Sequence, residues 1–92
     1  MATAIDNFLM EIEEDLKNFR NGDAVRSTGK AENFLLDHAD EIEKESEEIF
    51  DLAFDVQTEF AELQSGADNR KRLAEIRRLY KKIKSIKESI ED

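Results

Sequence analysis

The amino-acid sequence predicts an all-α protein: an antiparallel up-down bundle of three long helices, or of four if the second helical region breaks. Apolar residues recur at spacings of three and four along three segments, and Gly-containing polar stretches separate these segments. Of the 92 residues, 40% are charged and none is proline, which is typical of long helices with solvated faces. This length fits a single domain that spans residues 1–92.

The first predicted helix runs from about Thr3 to Arg20. Its apolar residues recur mostly three or four positions apart and form one face: Ile5, Phe8, Leu9, Ile12, Leu16 and Phe19. The sequence "NGD" at 21–23 predicts its end, because Gly22 suits the left-handed conformation that closes many helices. A polar connection then leads to the second helical region.

The second helical region, from about Lys30 to Gln64, carries the longest apolar seam. Its positions are spaced 3-4-3-4-3-4-3, which favours a helix: Ala39, Ile42, Ser46, Ile49, Ala53, Val56, Phe60 and Leu63. If this region breaks, we expect the break near residues 37–40, because Asp40 and Glu43 have the spacing of a capping box. The alternative is one continuous helix, because Leu35, Ala39 and Ile42 continue the seam across these residues.

The last predicted helix follows the sequence "SGAD" at 65–68 and extends to about Ile90. Gly66 is placed to end the preceding helix, and Asp68 or Asn69 to cap the new one. Its apolar face is predicted from the same spacing: Leu73, Ile76, Tyr80, Ile83, Ile86 and Ile90.

Charge is distributed unevenly along the chain, whose net charge is −9. Residues 1–68 hold 5 Lys and Arg against 19 Asp and Glu, a net of −14, whereas residues 69–92 hold 9 against 4, a net of +5. Most of such a surface repels nucleic acid and attracts basic partners. We therefore expect a basic protein partner and no direct binding to nucleic acid.

The residues needed for most enzymatic sites are missing from the sequence. His38 is the one histidine, there is no cysteine, and no Gly-rich phosphate loop or Ser-centred nucleophile elbow occurs. The sequence therefore predicts a protein that is not an enzyme and has no metal or cofactor. No apolar run approaches the length of a membrane span, and the N-terminus does not resemble a signal peptide, so we expect a cytoplasmic protein without a membrane partner.

Nine carboxylates and one lysine lie between Glu41 and Leu63. On a helical wheel, six of these acids fall on one flank of the apolar seam: Glu41, Glu45, Glu48, Asp55, Glu59 and Glu62. They form either a solvated face partly paired with the last helix, through Arg70, Lys71, Arg77, Lys81 and Lys84, or a surface that binds a basic protein. Phe50 and Phe54 lie on the opposite shoulder, where they either pack inside the bundle or form an exposed apolar hot spot.

The segment "NFRNGDAVRSTGKAENFLLDHADEIEKESEEIFDLAFDV", residues 18–56, resembles the small helical immunity proteins of the colicin D type. The shared features are a first helix that ends at a polar turn with Gly, a Phe-bearing segment, and an acidic "S-E-E-[IL]-F" helix, here Ser46 to Phe50. Such proteins block a tRNA-cleaving toxin by presenting carboxylates to its basic active-site surface. The resemblance implies that Glu47 and Glu48 contact such a partner. Neighbouring acids are further candidates by their position.

These observations predict a non-catalytic, acidic protein-binding module that masks a basic protein surface. The expected partner is a nuclease toxin or a DNA- or RNA-binding protein, in the latter case through nucleic-acid mimicry by carboxylates. The alternative is a structural or adaptor coiled-coil protein that self-associates, as a homodimer for example, through its second helix. The candidate partner-binding residues are Glu41, Glu45, Glu47, Glu48, Phe50, Asp51, Phe54, Asp55, Glu59 and Glu62.

Overall fold

The computed structural model describes residues 3–20, 29–63 and 68–91, and this part of the chain forms an all-α bundle without strands. Its four helices are α1 (Ala4–Arg20), α2 (Lys30–Glu45), α3 (Glu47–Ala61) and α4 (Arg70–Glu91). The predicted fold class is therefore confirmed, in its four-helix form. The turns predicted at 21–23 and 65–67 lie outside the described residues. Asp68, predicted as a cap, accepts a hydrogen bond from the backbone N–H of Arg70 at 3.2 Å.

Every helix contributes one apolar face to a shared core. The large apolar side chains with almost no exposed surface are Phe8, Ile12, Leu35, Ile42, Ile49, Val56, Ile76 and Ile83. The predicted faces of α1 and α4 supply most of their own core residues, although Leu79, also buried, was not among those predicted for α4. Ile90, which was predicted on the apolar face, lies in the last turn of α4 and is 52% exposed.

Two polar contacts join α1 to α4. Lys87 forms an ion pair with Asp6, and the Tyr80 hydroxyl donates a hydrogen bond to Glu13 Oε1 at 2.6 Å. Because these partners follow one another in opposite order along the two helices, α1 and α4 run antiparallel. Burial, together with the hydrogen bond to Glu13, raises the pKa of Tyr80 to about 12.

Asp15 connects α1 to the beginning of α2, and it is the most buried polar side chain of the described residues, at 1% exposure. Its two carboxylate oxygens accept hydrogen bonds from the backbone N–H groups of Lys30, at 3.1 Å, and Ala31, at 2.9 Å. Gly29 precedes α2 and supplies no side-chain cap. Asp15 therefore caps α2 from a neighbouring helix, a contact that sequence spacing did not indicate.

The second helical region is interrupted at two places. Its backbone is non-helical at His38, within the break expected near residues 37–40, and α2 ends before Ser46, where the sequence predicted no break. Ser46 has an extended backbone (φ −167°, ψ 118°), and its Oγ accepts a hydrogen bond from the Ile49 N–H at 3.2 Å. Ser46 is a strong N-cap because it supplies an acceptor, and Glu47 and Glu48 follow it at the positive end of α3. Its predicted place in the apolar seam was therefore wrong.

Residues 37–40 kink α2 but do not end it. His38 has non-helical backbone angles (φ −124°, ψ 22°), and its ring stacks on Phe34 with 4.3 Å between the ring centroids. Asp40, proposed as the cap of a new helix, lies inside α2 instead.

Candidate protein-binding surface

The packing of α3 against the core decides which of its acids face away from it. The buried residues of α3 are Ile49, Leu52, Ala53, Val56 and Phe60. Leu52, at 9% exposure, lies on the flank where the sequence predicted the carboxylate stripe. The core therefore extends onto that flank, and the candidate partner-binding acids at and after the start of α3 divide into two groups.

The first group is used inside the bundle, at the C-terminal end of α3. Glu59 Oε2 lies 3.3 Å from Arg72 Nη1, and Glu62 Oε2 lies 2.6 Å from Arg72 Nη2. One guanidinium of α4 therefore binds one carboxylate in the last turn of α3 and the carboxylate of Glu62, the residue that follows this helix. Arg72 was not among the cations that the sequence analysis expected to pair with these acids.

The predicted cations of α4 make other contacts or none. Arg70 pairs with Asp68, just before its own helix, at 3.2 Å. Lys71, Arg77, Lys81 and Lys84 are exposed, and none of them forms an ion pair with a residue in the described ranges. The basic face of α4 therefore neutralises the acids of α3 at one point only, within the part of the chain that the structure describes.

Two further predicted residues contact neighbours on α1 and α2. Glu45, the last residue of α2, accepts a hydrogen bond from the backbone N–H of Ala4 at 3.1 Å. Glu41 lies 3.2 Å from Nδ1 of His38, one turn earlier in α2. Both carboxylates lie on α2, before the break, so neither is aligned with the acids of α3.

The second group of acids forms, with one aromatic residue, what we call the α3 outer face: Glu47, Glu48, Asp51, Phe54 and Asp55. All five are exposed. The four carboxylates form no ion pair or hydrogen bond with any described residue. Asp55 acts at a distance on Arg78, whose pKa is raised mainly by its hydrogen bond to Glu75 and to a smaller extent by Asp55.

The two phenylalanines of α3 have different environments. Phe50 is half-buried and packs against the core, whereas Phe54 is 46% exposed. Their rings meet edge to face, with 5.0 Å between centroids and 90° between planes. Phe50 therefore packs inside the bundle and Phe54 is exposed, whereas the role of Phe54 as a hot spot stays a prediction.

The arrangement of the outer-face carboxylates is unfavourable for the isolated protein. Glu47, Asp51 and Asp55 follow one another at intervals of four residues, so each adjacent pair lies one turn apart. Like charges at this spacing destabilise a helix by about 0.2–0.5 kcal/mol per pair. The helix dipole stabilises Glu47 and Glu48 at the N-terminus of α3 and so offsets part of this repulsion. Asp51 and Asp55 lie beyond the first turn of the helix, where the dipole gives little stabilisation.

The described residues offer neither a metal site nor a membrane-spanning helix. They contain no group of three His, Cys, Asp or Glu side chains that could hold a metal ion. None of the described helices has both the length and the apolar character needed to cross a bilayer.

Comparison of the chain with protein-family models, with curated proteins and with solved structures gives no match. The resemblance to colicin D-type immunity proteins therefore stays a prediction. The "S-E-E-I-F" sequence that carries it has a local structural role here: Ser46 caps α3, two acids occupy the first turn, and Ile49 is buried.

Proposed function

We propose that this protein is a non-catalytic binding protein that masks a basic surface of a protein partner, using the α3 outer face. The observation that carries the proposal is that four adjacent carboxylates stay unpaired although cations of α4 lie on the neighbouring helix. A basic partner would pair these carboxylates and relieve their mutual repulsion.

The surface has the composition of a small protein-binding site. Phe54 provides exposed apolar area, and the acids around it would surround that area with charge. Energetically important contacts in interfaces are enriched in aromatic anchors surrounded by groups that exclude water. The net charge of −9 would in addition steer a basic partner toward the protein at low ionic strength.

A nuclease toxin is the partner that we favour, since a surface that binds the phosphates of RNA is basic and therefore complementary to clustered carboxylates. The resemblance over residues 18–56 to immunity proteins supports the same partner. A DNA- or RNA-binding protein would present similar chemistry. The binding experiment below distinguishes such a protein from a nuclease toxin.

The alternative, an adaptor that self-associates through its long second helix, is suggested by the sustained apolar seam of that region. In the structure Ile42, Ile49 and Val56 of that seam have 0% exposure within a single chain. Sedimentation equilibrium at two salt concentrations separates the two functions. A monomer at all concentrations supports the binding protein, whereas a stable dimer supports the adaptor.

The direct test compares two variants with the same change in net charge. The first neutralises the outer face with Glu47→Gln, Glu48→Gln, Asp51→Asn and Asp55→Asn. The matched control neutralises four exposed, unpaired acids of α2 with Glu32→Gln, Asp37→Asn, Asp40→Asn and Glu43→Gln. Each variant is titrated against catalytically inactive domains of tRNA-cleaving toxins and of DNA-binding proteins, with lysozyme as a basic protein of unrelated function.

We expect a domain that binds the native protein to lose affinity for the outer-face variant by at least tenfold, and to bind the α2 variant with nearly native affinity. Equal losses in both variants would show that only net charge matters. Unchanged affinity for the outer-face variant would rule out this surface as the contact.

A further inference from the structure

We infer that the α3 outer face selects arginine over lysine in its partner, because Phe54 places an open aromatic surface beside free carboxylates. This inference rests on the proposed function and specifies the side chain that the partner contributes. It is carried by the geometry of the Phe50–Phe54 pair and by the acids one turn away.

The ring of Phe54 is both exposed and supported. Phe50 packs against the core and contacts Phe54 edge to face, with 5.0 Å between centroids and 90° between planes. In an edge-to-face pair each ring keeps at least one face that the other ring does not cover. Phe54, 46% exposed, therefore presents an aromatic face to solvent from a position that Phe50 stabilises.

Two unpaired carboxylates lie on the same side of α3 as this ring. Asp51 precedes Phe54 by three residues, and Glu47 precedes Asp51 by four, so each is a neighbour of the next on the helix surface. Neither carboxylate has an ion pair or hydrogen bond within the described ranges. Acceptors for a cation are therefore available beside the ring.

Arginine matches this combination better than lysine does. A guanidinium is planar and weakly hydrated, so it can stack on an aromatic face while its N–H groups donate in parallel to a carboxylate. An ammonium is a compact and strongly hydrated charge that interacts mainly with the acids. The ring thus adds a contact that favours arginine.

Charge also argues against a second copy of this chain as the occupant. A symmetric pair that joined two Phe54 rings would bring the four carboxylates of one outer face against the same four of the other. Such like-charge contacts across an interface disfavour association. A segment that carries arginines avoids this repulsion and covers the ring.

The test uses two short synthetic peptides of identical sequence, except that four arginines in one are four lysines in the other. Both are titrated at low salt into isotopically labelled protein, and affinities are read from amide chemical shifts. We expect the arginine peptide to bind about twofold to fivefold more tightly. Phe54→Leu should reduce this ratio to about one, and Phe54→Trp should increase it, since indole is the better cation–π partner.

Met10→Leu is the matched control, because Met10 is a comparably exposed apolar residue, at 62%, on a different helix. It should leave the ratio unchanged. Equal affinities for the two peptides, or a ratio that survives Phe54→Leu, would overturn the inference. If both peptides then still lose affinity for the variant without the outer-face carboxylates, the selection of arginine is ruled out but the proposed function is retained. No binding of either peptide would overturn both.

Discussion

The two halves of α3 carry the same kind of side chain, but the fold uses them differently. At the C-terminal end, Glu59 and Glu62 both contact Arg72. In the N-terminal half, the four carboxylates of the α3 outer face form no ion pair or hydrogen bond with the described residues. The comparison shows that the acids paired at the end of α3 are those within reach of a cation of α4. Elsewhere on the same helix the acids stay available to another molecule.

Asp15 is the most buried of the acids that contact other parts of the bundle, and its substitution has the largest expected effect on stability. Asp15→Ala removes both acceptors for the Lys30 and Ala31 N–H groups at the start of α2. We expect the free energy of unfolding to fall by about 2 kcal/mol, because a cap is lost and buried donors are left unpaired. Urea unfolding measures this. Asp37→Ala, at an exposed position of α2, is the control and should change it by less than about 0.5 kcal/mol.

The pH dependence of stability tests the same carboxylate. Burial raises the pKa of Asp15 above its ordinary value of 3.8, although its two backbone hydrogen bonds oppose the shift. Between 3.8 and the raised pKa the folded protein binds more protons than the unfolded chain, so this group contributes less stability as the pH rises.

Asp15→Asn provides the reference for this measurement, because an amide does not titrate in this range and its oxygen can still accept one of the two hydrogen bonds. The free energy of unfolding of the native protein minus that of Asp15→Asn should decrease as the pH rises above about 4. A difference that increases with pH would contradict a raised pKa.

Arg72 tests the paired end of α3. Arg72→Gln removes the contacts with Glu59 and Glu62 and should lower the free energy of unfolding by about 0.5–1 kcal/mol, since the guanidinium is partly exposed and solvent screens the pairs. Arg77→Gln, at an exposed and unpaired position of α4, should cost much less. Thermal or urea unfolding of both variants at low and high salt provides the measurement. Equal losses would remove the distinction between the two halves of α3.

The smallest expected effect is a gain in stability rather than a loss. Asp51→Asn combined with Asp55→Asn removes like-charge repulsion one turn apart and should raise the free energy of unfolding by a few tenths of a kcal/mol, roughly, at low salt. The gain should shrink at high salt, where repulsion is screened. Glu59→Gln, whose carboxylate is paired, should lower it instead. A loss of stability in the double variant would show that these acids have an internal role.

Much of the fold could be predicted because its signals are local or periodic. The predicted apolar residues Phe8 and Ile12 of α1, and Ile76 and Ile83 of α4, are fully buried. Which acids are paired could not be predicted, because a helical wheel places residues around one helix and carries no position of the next helix. In the structure Leu52 of the predicted carboxylate flank is buried, and Glu59 of the same flank pairs with Arg72. The break at Ser46 was also missed. A Ser followed by two Glu is an N-cap signal that could have located this break from the sequence.

The sequence by itself determined the class of the protein: helices, a shared apolar core, and an excess of carboxylates in the second helical region. These properties follow from side-chain period and composition, which act within a few residues along the chain. The tertiary structure alone decided which acid has which role. Asp15 caps α2 and Glu59 binds Arg72 because helices distant in sequence approach each other there, and the outer face stays free because no described helix covers it.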